Sequence, residues 1–180
     1  MINIDKKTFV KLFLLFIPVS YASYLFHEFG HWIIGEILGN NMAFSLNNVM
    51  PTAGHYIDPS HEVLVMIGGP AFTILLSLLS LLVIERYKTI YAYPFVFFQM
   101  FIGLFSLVFG GFSIQDESKI SAILNLGTYT VAVIVLLLLF LIVLKARNTL
   151  RIGLKNNGYF LTMSTLGALL VIATYTISLK

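Results

Sequence analysis

Two histidines four residues apart, the first followed directly by a glutamate, stand in the run His27-Glu28-Phe29-Gly30-His31. On an α-helix, positions i and i+4 lie about 40° apart on one face, so His27 and His31 can present ring nitrogens to a single ion. Glu28 sits roughly 100° round from His27, close to that ion but free for another task. The set suits Zn²⁺ held by two imidazoles, with Glu28 taking a proton from water. Its setting is apolar, and ionisable groups at the centre of a membrane helix cost about 2.5–3.5 kcal/mol each on insertion scales. A metal is a reason to carry three of them in five residues. Without one, they would be interfacial polar groups near the outer end of a membrane helix.

The chain has no cysteine, so a third metal ligand must come from His, Asp or Glu. Asp116, in Gln115-Asp116-Glu117-Ser118-Lys119, is one candidate. Its sequence context also fits a helix N-cap, and one carboxylate can serve both roles. As a ligand it would complete a His₂-carboxylate site with a fourth position left for water. His55, Asp58, His61 and Glu62 form a second polar group. They read as interfacial residues, with spare ligands or substrate contacts as the alternative.

These residues must be positioned by membrane helices. Of 180 residues, 58% are hydrophobic and 11% charged, with a mean hydropathy of +0.92. A soluble domain is typically about 45–50% apolar. The composition therefore predicts an all-α polytopic membrane protein of about five spans, forming a single domain with no sizeable soluble part. The net charge of +3 is carried by basic residues at span ends, which is not the footprint of a nucleic-acid partner.

The first span is expected over about 9–38. Lys6, Lys7 and Lys11 before an apolar run also resemble a signal peptide, but apolar character continues through Leu38 and favours an uncleaved span. Ser20, Tyr24, His27, His31 and Gly35 share one face of it and should look into the bundle. Turn formers dominate residues 39–60, which read as a loop or a short hairpin at the outer membrane face. The second span is expected over about 62–84. Gly68-Gly69-Pro70 and Thr73 lie in it, where Pro70 can free the carbonyl of Met66 and the glycines permit close backbone approach. Small-residue packing explains this stretch, and so does a loosened helix beside the metal where a substrate strand could dock.

The third span, about 91–109, carries an inward stripe of Gln99, Gly103, Ser106 and Gly110. The fourth, about 128–144, is almost pure Val, Ile and Leu and is expected to be peripheral. A basic loop with Lys145, Arg147, Arg151 and Lys155 leads to the fifth, about 159–178. With five spans, nine Lys and Arg residues fall on the side of the N-terminus and two, Lys119 and Lys180, on the other. The positive-inside rule puts the N-terminus in the cytoplasm. His27 and His31, Gly69-Pro70 and Asp116 then all lie toward the non-cytoplasmic side.

Taken together, these motifs resemble the site-2 protease family of intramembrane zinc metalloproteases, and the chain resembles a minimal, divergent member. The likeness rests on His27-Glu28-Phe29-Gly30-His31, Gly69-Pro70 and Asp116, and covers about residues 9–126. Thr73 stands where the family usually has Asn, and Asp116 lacks the family's nearby proline and following glycine. The resemblance implies zinc held by His27, His31 and Asp116, Glu28 as catalytic base, and Gly68, Gly69, Pro70 and Thr73 near the substrate. The substrate would be a membrane-spanning segment of another protein, with the lipid bilayer as the other partner and no nucleotide. The alternative is a catalytically inactive relative that binds membrane helices as regulator or chaperone.

Overall fold

A computed structural model describes residues 4–109 and 115–178 of the chain. Gly110, the last member of the expected stripe, and Lys180 lie outside the described residues.

Helix α1 runs Lys6–Ile37. It starts where the Asp5 carboxylate accepts a hydrogen bond from the Thr8 amide at 2.7 Å, and it contains Pro18. It ends where Gly39 (φ +82°) and Asn41 (φ +47°) reverse the chain. Strands β1 (Met42–Ser45) and β2 (Asn48–Pro51) follow as an antiparallel hairpin, with Met42 opposite Pro51 and Ser45 opposite Asn48. The hairpin is fastened to the end of α1. The Glu36 carboxylate accepts from the Met42 amide at 2.6 Å, and the Met42 side chain lies over Gly35, which leaves no room there for a Cβ.

Helix α2 runs Pro59–Tyr87, with Asp58 capping its first turn through the Ser60 amide at 2.8 Å. A 3-10 turn at Ile90–Ala92 leads into α3 (Tyr93–Phe109). Helix α4 (Asp116–Ile123) is short; α5 (Thr130–Leu150) and α6 (Leu154–Ser178) complete the chain. Among the described residues, five helices are long and apolar enough to cross a membrane: α1, α2, α3 with the preceding turn, α5 and α6. The all-α polytopic class and the hairpin after the first span are as expected.

α3 packs against α1, α2, α5 and α6 and so occupies the middle of the bundle. Its first half, with Tyr93, Phe97 and Phe98, meets Leu12 and Phe16 of α1 and Phe160 of α6 in an aromatic-rich core. Tyr93 and Phe160 stack edge to face at 4.8 Å. This apolar core holds the end of the bundle away from the hairpin. The hairpin end is the polar one.

Two expectations are corrected. The fourth span faces outward at Ile134, Leu137 and Leu141 but is not lipid-facing all round: α5 packs on α2, α3 and α4, burying Ala132, Leu139, Ile142 and Val143. In lipid a buried face and an exposed face are equally apolar, so a Val-Ile-Leu run carries no orientation signal. The expected basic loop is also helical. Lys145 and Arg147 belong to α5, Arg151 ends it at φ +54°, and Lys155 to Gly158 already lie in α6. The Asn157 carboxamide oxygen accepts from the Tyr93 hydroxyl at 3.0 Å, tying α6 to α3.

Candidate metal centre

The close crossing of α1 and α2 builds the site. Gly30 and Gly68 face each other so tightly that a Cβ on either would overlap the carbonyl of the other. That approach brings α2 backbone and hydroxyl groups within reach of the α1 imidazoles. His31 Nδ1 lies 2.7 Å from the carbonyl oxygen of Val65. A carbonyl only accepts, so Nδ1 carries the proton and, in the neutral ring, Nε2 presents its lone pair. His27 Nδ1 lies 2.9 Å from Thr73 Oγ1. Both rings therefore aim Nε2 at the same point, and those two nitrogens are 3.2 Å apart.

Asp116 arrives from the other end of the chain. Its Oδ2 lies 3.5 Å from His27 Nε2 and 3.1 Å from His31 Nε2. It is the first residue of α4, whose N-cap is Gln115 without a side-chain cap bond. The expected capping role of Asp116 is thus corrected: its carboxylate is turned to the imidazoles instead of to its own helix. Burial works against its charge, but where protons and not an ion sit on the two Nε2 atoms, hydrogen bonds from His27 and His31 outweigh that and hold the carboxyl well below the usual carboxylate range.

The residues fit a metal ion on the geometry of the donors themselves. Bonds of about 2.0–2.1 Å at tetrahedral angles set ligand atoms about 3.3 Å apart. Separations of 3.1, 3.2 and 3.5 Å bracket that edge. Each imidazole also has its second nitrogen engaged, as metal-binding histidines almost always do. Gly69 supplies the clearance: a Cβ there would overlap Nε2 of both histidines. Among the described residues these three form the group that could hold a metal.

Glu28 is 8% exposed and lines the same cavity as His27, His31 and Asp116. The cavity has a volume of about 660 Å³, within the usual range of about 300–1,000 Å³ for ligand sites. Asn47, Asn48 and Val49 of the hairpin form part of its wall. Of the four residues expected near substrate, Thr73 is at this wall and Gly68, Gly69 and Pro70 are buried in the helix contact behind it. In the second polar group, Asp58 caps α2, and His61 Nδ1 lies 3.1 Å from the Asn40 amide nitrogen. His55 meets only the Ala53 carbonyl, and Glu62 lines the cavity.

Sequence reading found His27, Glu28, His31 and Asp116 but did not find what holds them. The Val65 carbonyl is a backbone group and leaves no trace in residue type. Glu117, a second carboxyl at the cavity wall that burial pushes up, was overshadowed by its neighbour. Comparisons with protein-family models, with curated proteins and with solved structures returned no match to this chain. Fold and site define a polytopic α-helical membrane protein with three donor groups that could hold a metal ion, beside a buried glutamate.

Proposed function

We propose that this chain is an intramembrane zinc metalloprotease that hydrolyses peptide bonds in or beside membrane-spanning segments of other proteins, as its resemblance to site-2 proteases implies. One observation carries the reading. Donor atoms from α1 and from α4, 85 residues apart along the chain from His31 to Asp116, meet at tetrahedral-edge spacing next to Glu28.

Zinc bound there would supply a Lewis acid for the scissile carbonyl and lower the pKa of water toward about 7. The chain's own residues do the rest. His27, His31 and Asp116 hold the ion, while Thr73 and the Val65 carbonyl fix the two rings. Glu28 takes a proton from the attacking water and returns it to the leaving amine nitrogen. A helical substrate hides its carbonyls in hydrogen bonds, so the segment must unwind to react. Strand β2, with Asn48 and Val49 at the cavity wall, offers pairing to the extended form. The basic residues gathered at the far end of the bundle favour an N-terminus in the cytoplasm and a cavity opening on the non-cytoplasmic side.

The test is purified protein, its Glu28→Gln variant and a set of single-span peptides. Both proteins are expected to retain zinc by elemental analysis, and the variant to lose cleavage by a factor of about 10²–10⁴. Equal cleavage by the two would end the protease reading. Bound zinc without cleavage of any peptide by the wild type would favour the inactive, helix-binding alternative.

A further inference from the structure

The cavity that holds the candidate metal centre is also lined by two buried polar groups that the proposed chemistry does not use. Gln99 is 1% exposed and Ser23 is 3% exposed. Both line the cavity, and neither Gln99 Nε2 nor Ser23 Oγ has a hydrogen-bond partner. They belong together. Ser23 lies one turn before His27 on α1, about 6 Å further from the hairpin. Its neighbour Tyr24 packs on Phe98, the neighbour of Gln99, at 6.5 Å between ring centroids. Ser23 and Gln99 are therefore at one level of the bundle, on facing helices.

A carboxamide is costly there. The other buried residues of α3 are Tyr93, Pro94, Val96, Phe97, Phe98 and Phe101, and the one polar side chain in that set, the Tyr93 hydroxyl, is engaged with Asn157. A buried polar group left unpaired loses its full hydration, so each one calls for a partner. Gly103, one turn above Gln99, also lines the cavity. Carboxamide and hydroxyl offer both donors and acceptors, which matches a neutral hydrogen-bonding group and does not match a purely aliphatic one.

We propose that Ser23 and Gln99 form a specificity pocket that takes a neutral hydrogen-bonding side chain (Asn, Gln, Ser or Thr) of the membrane segment lying in the cavity. The pocket makes the protein select segments with such a residue close to the metal centre. A residue of this kind also weakens a membrane helix locally, so one feature would serve both recognition and unwinding. The inference rests on the reading that a membrane segment enters this cavity, but it does not require that the segment be cut.

The experiment measures binding by the Glu28→Gln protein in detergent, loaded with zinc. The probes are fluorescent single-span Leu/Ala peptides in which one Asn is moved residue by residue along the segment. One register of Asn is expected to bind about tenfold more tightly than the all-apolar peptide. Adding Gln99→Met should remove that preference while zinc content and binding of the apolar peptide stay unchanged. Ser23→Ala, a milder change, should reduce the preference several-fold and serves if Gln99→Met fails to fold. A preference that survives both substitutions, or one that never existed in any register, would overturn the pocket. If no peptide binds at all, the reading of the cavity as a substrate site falls with it.

Discussion

His31 carries its tautomer in its surroundings: the Val65 carbonyl 2.7 Å from Nδ1 accepts its proton. The opposite nitrogen then faces the Asp116 carboxylate at 3.1 Å. Two lone pairs at that distance repel unless a positive charge lies between them, and protons on both rings, each shared with Asp116, would still leave the Nε2–Nε2 pair unbridged. An ion at tetrahedral distance satisfies all three. His27 has Thr73 as its counterpart, a hydroxyl 2.9 Å from Nδ1 that can accept the ring proton or donate its own. Thr73→Val keeps the shape and removes the oxygen. It is expected to weaken zinc binding by about 10–100-fold, read by competition with a chromogenic chelator, and Thr73→Ser is expected to restore most of it. Unchanged affinity in Thr73→Val would mean that the hydroxyl does not orient the ring.

At the scale of elements, the α1–α2 crossing decides whether a site exists. Gly30 and Gly68 set the separation, and Gly69 leaves space under the two imidazoles. These glycines differ in what a methyl would do. At Gly69 the added Cβ enters the donor cluster, so Gly69→Ala is expected to abolish zinc binding while the protein stays folded by circular dichroism and gel filtration. At Gly30 it strikes the Gly68 carbonyl, so Gly30→Ala is expected to force the helices apart and cost about 1–3 kcal/mol of stability, read by thermal unfolding in detergent. Retained zinc in Gly69→Ala would show that the ion, if bound, sits elsewhere. The histidine pair and the five spans were legible in sequence because lipid imposes length and apolarity on a span, and metal geometry imposes the i, i+4 spacing. The roles of Gly69 and of the Val65 carbonyl were not legible, because both depend on which residues of α2 face α1. The packed face of α5 was hidden for a related reason: nothing in Val, Ile and Leu tells a protein neighbour from a lipid one.

At the scale of the whole molecule, the bundle is divided into an apolar, aromatic-cored end and a polar, metal-competent end, and the charges follow that division. Lys6, Lys7, Lys11, Arg86, Lys88, Lys145, Arg147, Arg151 and Lys155 lie at the end away from the hairpin, whereas the hairpin end has Lys119 among the described residues. The positive-inside rule predicts that the basic end stays in the cytoplasm, and that orientation would set the leaflet at which a substrate segment meets the cavity. The absence of native cysteine makes this directly measurable. Ala53 follows the hairpin and Lys155 lies in the first turn of α6, and both are exposed. A membrane-impermeant maleimide added to intact cells is expected to label Ala53→Cys, and to label Lys155→Cys only after the membrane is opened. The reverse pattern would turn the cavity toward the cytoplasm, so that segments would be met at their cytoplasmic ends and the charge argument for orientation would be lost. The metal centre would be untouched by that result, since it depends on contacts within the bundle and not on the direction in which the bundle is threaded.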